Sequence, residues 1–106
     1  MSRQKGRNVV ETLEQSADFI GDGSKVVTSA GTRETLSDNV TACWKVLITA
    51  KRGNTNRVWV GGATVAVDRG KPLVPLQQIW LEVDDLKKIY IDVDTNGEGV
   101  DYLYLV

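Results

Sequence analysis

The sequence predicts a small all-β domain, a β-sandwich or jelly-roll-like barrel of about eight short strands with an N-terminal arm. Three observations lead to this fold class. From Lys25 onward the apolar residues recur with a period of two, the runs rich in Val, Ile, Thr and aromatics are short, and each run ends at a turn sequence. A chain of 106 residues has room for one such domain. We therefore expect an arm over residues 1–24 and a β-domain over residues 25–106.

The arm differs from the rest of the chain in composition. It is polar and interrupted by glycine and serine, with a weak helical stripe at Val9, Val10, Leu13 and Ala17. Its low hydrophobicity cannot offset the entropy lost on ordering it alone. We expect the arm to order against a neighbouring protein, with its basic side chains at that contact: Arg3, Lys5 and Arg7.

The β-domain divides into runs that are separated by turns. The predicted strands are residues 25–29, 32–36, 43–52, 57–60, 64–67, 78–83, 88–93 and 100–106. Turn sequences bound them at Ala30-Gly31, Ser37-Asp38-Asn39, Gly53-Asn54, Gly61-Gly62, Arg69-Gly70-Lys71-Pro72, Asp84-Asp85 and Asn96-Gly97. Alternation within the strands assigns these aliphatic residues to the core: Val46, Ile48, Ala50, Val58, Val60, Ile79, Leu81, Val83, Ile89, Ile91 and Val93.

The same alternation puts large aromatic side chains on the solvent face of three strands. Trp59 lies between two core valines, and Trp80 and Tyr90 each lie between two aliphatic core residues. A soluble monomer seldom exposes such a patch, whereas Trp and Tyr are enriched at protein interfaces. We predict that Trp59, Trp80 and Tyr90 lie on a contact between subunits or with a larger particle. We also expect a homo-oligomer, specifically a trimer.

Composition argues against several functional classes. The net charge of -1 gives no bulk attraction to nucleic acid or to anionic lipid. No apolar run is long enough for a membrane span or a secretory leader, so we expect the protein to stay in the cytoplasm or in a particle assembled there. Without histidine and with Cys43 as the single cysteine, the chain cannot form an internal disulfide, a Cys/His zinc site or a histidine-dependent triad. We expect no enzymatic activity and no cofactor.

One motif resembles a metal site. Asp92-Val-Asp94-Thr-Asn96-Gly97 matches the first half of a calcium loop. The second half fails, because Leu103 stands where a bidentate Glu is needed and both flanks are predicted as strands. We interpret the motif as a hairpin turn in which Asn96-Gly97 supplies positive φ, with calcium binding as the alternative.

Other motifs favour structural roles. Asp84 and Asp85 are adjacent and point to opposite faces of an extended chain, so a turn or cap role suits them better than a catalytic pair. Gly61-Gly62 lacks the longer glycine pattern of a phosphate loop. Cys43 has no histidine base and is interpreted as a small buried hydrophobe. Three basic side chains around one loop are interpreted as solvated charges: Lys51, Arg52 and Arg57.

The order of elements over residues 32–105 carries a resemblance to a known class of proteins. The residues that carry it are Gly31-Thr32, Cys43-Trp-Lys-Val-Leu-Ile-Thr-Ala50, Asn54, Val58-Trp-Val-Gly61, Pro72-Leu73, Leu81-Glu-Val-Asp-Asp-Leu86, Ile89-Tyr-Ile-Asp92, Gly97-Glu-Gly-Val100 and Tyr102-Leu-Tyr-Leu105. In this order they resemble small bacteriophage virion structural proteins: capsid decoration or cement proteins, head-fibre bases and tail accessory proteins. The resemblance implies a β-sandwich located in the virion that binds the phage major capsid protein or another virion protein, often as a symmetric oligomer.

An alternative function is a carbohydrate-binding adhesin module of a phage fibre or tailspike. Trp and Tyr on one flat sheet face also stack on sugar rings. Sugar sites usually surround such a platform with several polar side chains, whereas only Glu82 and Asp92 stand on the same rows here. Glycan binding by the isolated domain would favour this alternative.

Overall fold

A computed structural model describes residues 17–106 of the protein. Its strands are β1 (Ile20–Val27), β2 (Glu34–Thr35), β3 (Lys45–Ala50), β4 (Val58–Gly61), β5 (Lys71–Leu73), β6 (Gln78–Leu81), β7 (Tyr90–Val93) and β8 (Glu98–Leu105). A short 3-10 helix, Leu86–Lys88, precedes β7. The strands form two antiparallel four-stranded sheets, in the order β1-β8-β3-β6 and β2-β7-β4-β5. The predicted all-β sandwich of eight strands is confirmed.

The core lies between the two sheets and contains the predicted aliphatic rows. Residues of β3, β4 and β7 form its buried centre: Val46, Ile48, Ala50, Val58, Val60, Ile91 and Val93. Ile79 and Leu81 are only partly buried against this centre, because β6 lies at the edge of its sheet. Each fully buried aliphatic side chain contributes about 1.5–3 kcal/mol, so these rows are the main source of stability.

Two glycines of β1 make room for tyrosine rings of β8. Gly21 pairs with Tyr104 and Gly23 pairs with Tyr102. A Cβ atom at Gly23 would lie 2.5 Å from the Tyr102 hydroxyl oxygen, and a Cβ at Gly21 would overlap the Tyr104 ring. The rings therefore cover the inner side of this edge strand where core side chains would otherwise lie.

An ion pair joins the two sheets along the edge formed by β1 and β2. Lys25 points inward from β1, and its Nζ lies 2.9 Å from Oε1 of Glu34 on β2. The hydrogen bond from Lys25 lowers the pKa of Glu34. The inward charge of Lys25 is thus paired at the margin of the apolar core.

The first strand begins earlier than expected. β1 starts at Ile20, so residues 20–24 of the predicted arm belong to the first sheet. The glycines that suggested a flexible arm instead accommodate the two tyrosines of β8. The rest of the predicted arm, residues 1–16, lies outside the described residues, together with the basic side chains Arg3, Lys5 and Arg7.

The predicted strand at residues 64–67 is wrong. Ala66 and Arg69 exchange two backbone hydrogen bonds around a tight turn, in which Asp68 has a φ of 67°. Val65 is 2% exposed and packs beside Gly61, where an added Cβ would lie 3.2 Å from the valine Cβ. This loop therefore folds back over the second sheet. The strand β5 lies further along the chain, at Lys71–Leu73, and its first two residues are part of the predicted turn.

The turn at Asn96-Gly97 is confirmed, but the hairpin is wrong. Gly97 has a φ of 83°, as a tight turn requires. The strands on either side of it nevertheless belong to different sheets, since β7 pairs with β2 and β4 while β8 pairs with β1 and β3. The turn carries the chain from one sheet to the other.

Candidate functional site

The outer face of the second sheet is covered by the chain itself. It carries Trp59 and Asp92, which pair in the register of β4 and β7, and Tyr90 one step further along β7. Trp59 is 6% exposed, Asp92 is fully buried and Tyr90 is half-buried. The prediction that Trp59 is an exposed side chain is therefore wrong. Alternation gives the direction of its side chain but does not reveal the polar groups and loops that bury it.

Trp59 belongs to a closed cluster with Arg57 and Asp94. Its Nε1 donates a hydrogen bond to Asp94 Oδ1 at 2.9 Å, and the Arg57 guanidinium lies 4.8 Å from a Trp59 ring centroid. Arg57 Nε donates to Asp94 Oδ2 at 3.0 Å. Burial raises the pKa of Asp94, but the hydrogen bonds from Trp59 and Arg57 outweigh burial and lower it. The Arg57 side chain is 46% exposed, as expected for a solvated loop charge, but it also belongs to this structural cluster through Asp94.

The calcium-like motif binds loop backbone. Asp92 Oδ1 accepts hydrogen bonds from the N–H groups of Gly31 at 2.9 Å and Val93 at 2.8 Å. Asn96 Oδ1 accepts from the Ala30 N–H at 2.7 Å. Within residues 17–106, no cluster of three or more His, Cys, Asp or Glu is arranged to hold a metal ion. These contacts favour the structural interpretation of the motif.

A buried carboxylate fastens the loop after β3 to the start of β8. Glu98 accepts hydrogen bonds from the N–H and hydroxyl of Thr55, both at 2.7 Å, and from the Asn56 N–H at 3.1 Å. Beside it, Asn54 Nδ2 donates to the Gly99 carbonyl at 2.8 Å. Burial raises the pKa of Glu98, but the hydrogen bonds from Thr55 and Asn56 lower it overall. This polar set therefore has a structural explanation.

The remaining motifs also take structural roles. Asp85 accepts from the N–H groups of Thr41 and Lys87, which lower its pKa and cap the 3-10 helix as expected. Asp84 Oδ1 lies 2.7 Å from Nζ of Lys88. Cys43 is partly buried against the core, and its Sγ donates to the Val83 carbonyl at 3.2 Å. Burial raises the pKa of the Cys43 thiol, so its reactive thiolate form is disfavoured.

The outer face of the first sheet is open. The strand register aligns its outward side chains in two neighbouring rows, Asp22-Leu103-Leu47-Trp80 and Ser24-Asp101-Thr49-Gln78. We name the surface formed by these eight residues the open face. A groove of about 550 Å³ lies across it, lined by seven of the eight residues together with Gly23 and Tyr102. Trp80 stands beside this groove, directly opposite Leu47.

The open face combines an apolar strip with polar and charged side chains, one of which is in an ion pair. Trp80 is 50% exposed and Leu103 is 44% exposed, with the half-buried Leu47 between them. Lys45 Nζ lies 5.0 Å from the Trp80 ring centroid. Lys51 Nζ lies 2.7 Å from Asp101 Oδ1. This arrangement can bind a surface that supplies apolar groups at its centre and polar groups around them.

The exposure of Trp80 is confirmed, and it is the one predicted aromatic that lies on the open face. Tyr90 lies half-buried on the covered face. Sequence reasoning missed Leu47 and Leu103, although each lies between inward residues of its strand, so alternation could have found both.

Comparison with protein-family profiles, curated proteins and solved structures finds no match to this chain. Within the described residues, no helix is long and apolar enough to cross a membrane.

Proposed function

We propose that this protein is a non-enzymatic structural component of a bacteriophage virion that binds the major capsid protein or another virion protein through its open face. The observation that carries the binding role is the exposed strip formed by Trp80, Leu47 and Leu103 on a flat sheet surface. Exposed Trp side chains are characteristic anchors of protein contacts. The assignment to a phage particle depends on the order of elements over residues 32–105.

The size of the open face indicates how it binds. Four strands about 4.8 Å apart span roughly 19 Å, and the two outward residues of each strand, about 6.7 Å apart, span roughly 13 Å along it. A standard contact buries about 800 Å² on each partner, so this face alone would support a weak contact. We propose that the basic arm and several copies of the protein contribute to the same attachment, because linked weak contacts strengthen one another.

Co-sedimentation with assembled particles tests the proposal. Trp80→Ala should weaken binding about 30-fold, because truncating an anchor costs about 2 kcal/mol. Val67→Ala is the matched control, since Val67 is also an exposed apolar residue, 37% accessible, but belongs to a loop after the second sheet's β4. Equal binding by wild type, Trp80→Ala and Val67→Ala would contradict the role of the open face.

A carbohydrate-binding function is the second candidate. The Trp80 ring stands beside a groove that carries the polar side chains of Gln78, Asp101 and Asp22. Against this function, the Lys45 ammonium already lies over the Trp80 ring, where a sugar would stack. Loss of glycan-array binding in Trp80→Ala, with unchanged particle binding, would place this candidate first.

A further inference from the structure

The four edge strands of the sandwich differ in length. β2 has two residues, β5 has three and β6 has four, whereas β1 has eight. Proteins commonly shorten edge strands, because an edge presents unpaired N–H and C=O groups to other chains. β1 is therefore the edge best suited to pair with a further strand.

The hydrogen-bond pattern shows which groups of β1 face outward. Phe19 and Val106 exchange two backbone hydrogen bonds, at 3.2 and 2.9 Å. Hydrogen-bonded and non-hydrogen-bonded pairs alternate along an antiparallel ladder, so Gly21, Gly23 and Lys25 are the residues that bond to β8. The N–H and C=O groups of the alternate residues point away from β8: Ile20, Asp22, Ser24 and Val26. Among residues 17–106, these outward groups have no other backbone partner.

We propose that β1 of a second copy of the protein pairs with this edge. The two strands would run antiparallel around a two-fold axis at Gly23, and the two first sheets would join into one sheet of eight strands. Ile20 would face Val26 of the second copy, and Asp22 would face its Ser24. All eight outward backbone groups of each β1 would then be hydrogen-bonded.

The side chains of β1 favour this register over the registers centred on Asp22 or Ser24. With Gly23 at the axis, apolar residues oppose each other and the Asp22 carboxylate opposes the Ser24 hydroxyl. Centring on Asp22 would place two carboxylates directly opposite each other, which is destabilising. Centring on Ser24 would oppose Asp22 to Val26. A one-residue slip would send the side chains to the wrong faces.

Two features of β1 keep its edge accessible. Gly23 has no side chain at the axis, where the two backbones approach most closely. The Lys25 ammonium is paired with Glu34 of the other sheet at 2.9 Å, so its charge beside the edge is neutralised. A two-fold contact predicts a dimer or an assembly of dimers, in place of the trimer expected from the sequence. The pairing uses the backbone of β1 and the side chains beside it, and it does not depend on what the open face binds.

Sedimentation equilibrium of the full chain tests the pairing. The wild type should form a dimer, while Asp22→Pro should weaken it by at least about tenfold, since the lost N–H points to the second copy. Asp22→Pro leaves the hydrogen bonds to β8 intact, and the preceding Gly21 tolerates the proline. Asp22→Asn is the matched control, because it keeps the N–H, and it should remain dimeric. A monomeric wild type, or a dimer that persists in a folded Asp22→Pro, would overturn the proposal.

Cross-linking tests the register without proline. Asp22→Cys and Ser24→Cys chains, mixed and mildly oxidised, would place the two new cysteines opposite each other with Cα atoms about 5.5 Å apart. Within either variant alone, the equivalent cysteines would be about 8 Å apart, beyond disulfide reach. Wild type reports the background from Cys43. Cross-linking in the mixture alone supports the register, and equal or absent cross-linking in all samples overturns it.

A dimer that forms only after deletion of residues 2–16 would assign the edge to the chain's own N-terminal segment and also overturn the proposal.

Discussion

Replacing Trp59 or Trp80 by alanine should have different effects on stability, although both side chains point away from the core. Trp59 is 6% exposed. An aromatic side chain of this kind buries about 200 Å², which at ~25 cal/mol per Å² corresponds to about 5 kcal/mol. This value lies at the upper end of the range of about 3–5 kcal/mol for Trp→Ala at buried sites. Because a domain has about 5–15 kcal/mol in total, Trp59→Ala should lose at least about a third of its free energy of unfolding.

Trp80→Ala should cost much less. The Trp80 side chain is 50% exposed, so it buries roughly 100 Å², and its Cβ remains in the alanine variant. We expect a loss of about 1–2 kcal/mol. Ile91→Ala provides a core reference, because Ile91 is fully buried and its truncation should cost about 2–5 kcal/mol.

Trp59→Phe separates the buried ring from its hydrogen bond. Phenylalanine keeps most of the apolar area but removes the donor that binds Asp94 Oδ1 at 2.9 Å. A hydrogen bond to a charged group contributes about 1.5–3 kcal/mol, so the loss should fall in this range. Trp80→Phe is the matched control and should cost less than about 1 kcal/mol.

Urea unfolding followed by far-UV circular dichroism measures these differences, because it does not depend on tryptophan fluorescence. The free energy of unfolding is obtained by linear extrapolation for each variant. The expected result places Trp59→Ala and Ile91→Ala together, with Trp80→Ala well above both in stability. If Trp80→Ala and Trp59→Ala lose the same free energy, the distinction between an open and a covered face is refuted.

Three further predictions concern acid, a glycine and the cysteine. The folded protein lowers the pKa of Glu98, so the resulting stabilisation is complete above the ordinary carboxyl pKa and is lost as the pH falls through the lower, folded-state pKa. The urea midpoint should therefore decrease as the medium is acidified below the ordinary carboxyl pKa, and an equally steep decrease in Glu98→Gln would contradict this origin. Gly23→Ala should cost about 1–3 kcal/mol because its Cβ would lie 2.5 Å from the Tyr102 hydroxyl oxygen; Gly53→Ala, with no atom within 4 Å, is the control. Since the pKa of Cys43 is raised by burial, a thiol reagent at pH 7 should react several-fold more slowly with the native protein than in urea; equal rates would argue against a protected thiol.

The core could be predicted from the sequence because strand alternation is a local property. Val46, Ile48 and Ile91 follow directly from a period of two, and all three are fully buried. The exposure of Trp80 follows from the same rule. The Trp59 side chain also points away from the core, as strand alternation predicts. It is nevertheless buried by groups that include Asp94, which lies 35 residues away in the sequence. Burial by distant segments leaves no local signal.

Glycine was the residue type that most misled the sequence reasoning. Gly21 and Gly23 suggest a flexible arm, but each lies beneath a tyrosine from the far end of the chain. A local pattern cannot distinguish a glycine that provides flexibility from one that provides space. The sequence correctly predicts Gly97 as a turn residue. It does not predict that the strands on either side of this turn pair with β1 and β4, which lie far away along the chain.

The central position of β8 has a consequence for how the protein folds. β8 follows the other seven described strands along the chain, and it pairs with both β1 and β3. A growing chain therefore carries these two strands without the one that joins them, and the first sheet cannot close until residues 98–105 have been synthesised. Joining β1 to β8 requires a long loop to close, which is typical of sandwiches that fold in milliseconds to seconds. During that interval the future neighbours of β8 remain open to mispairing with other chains.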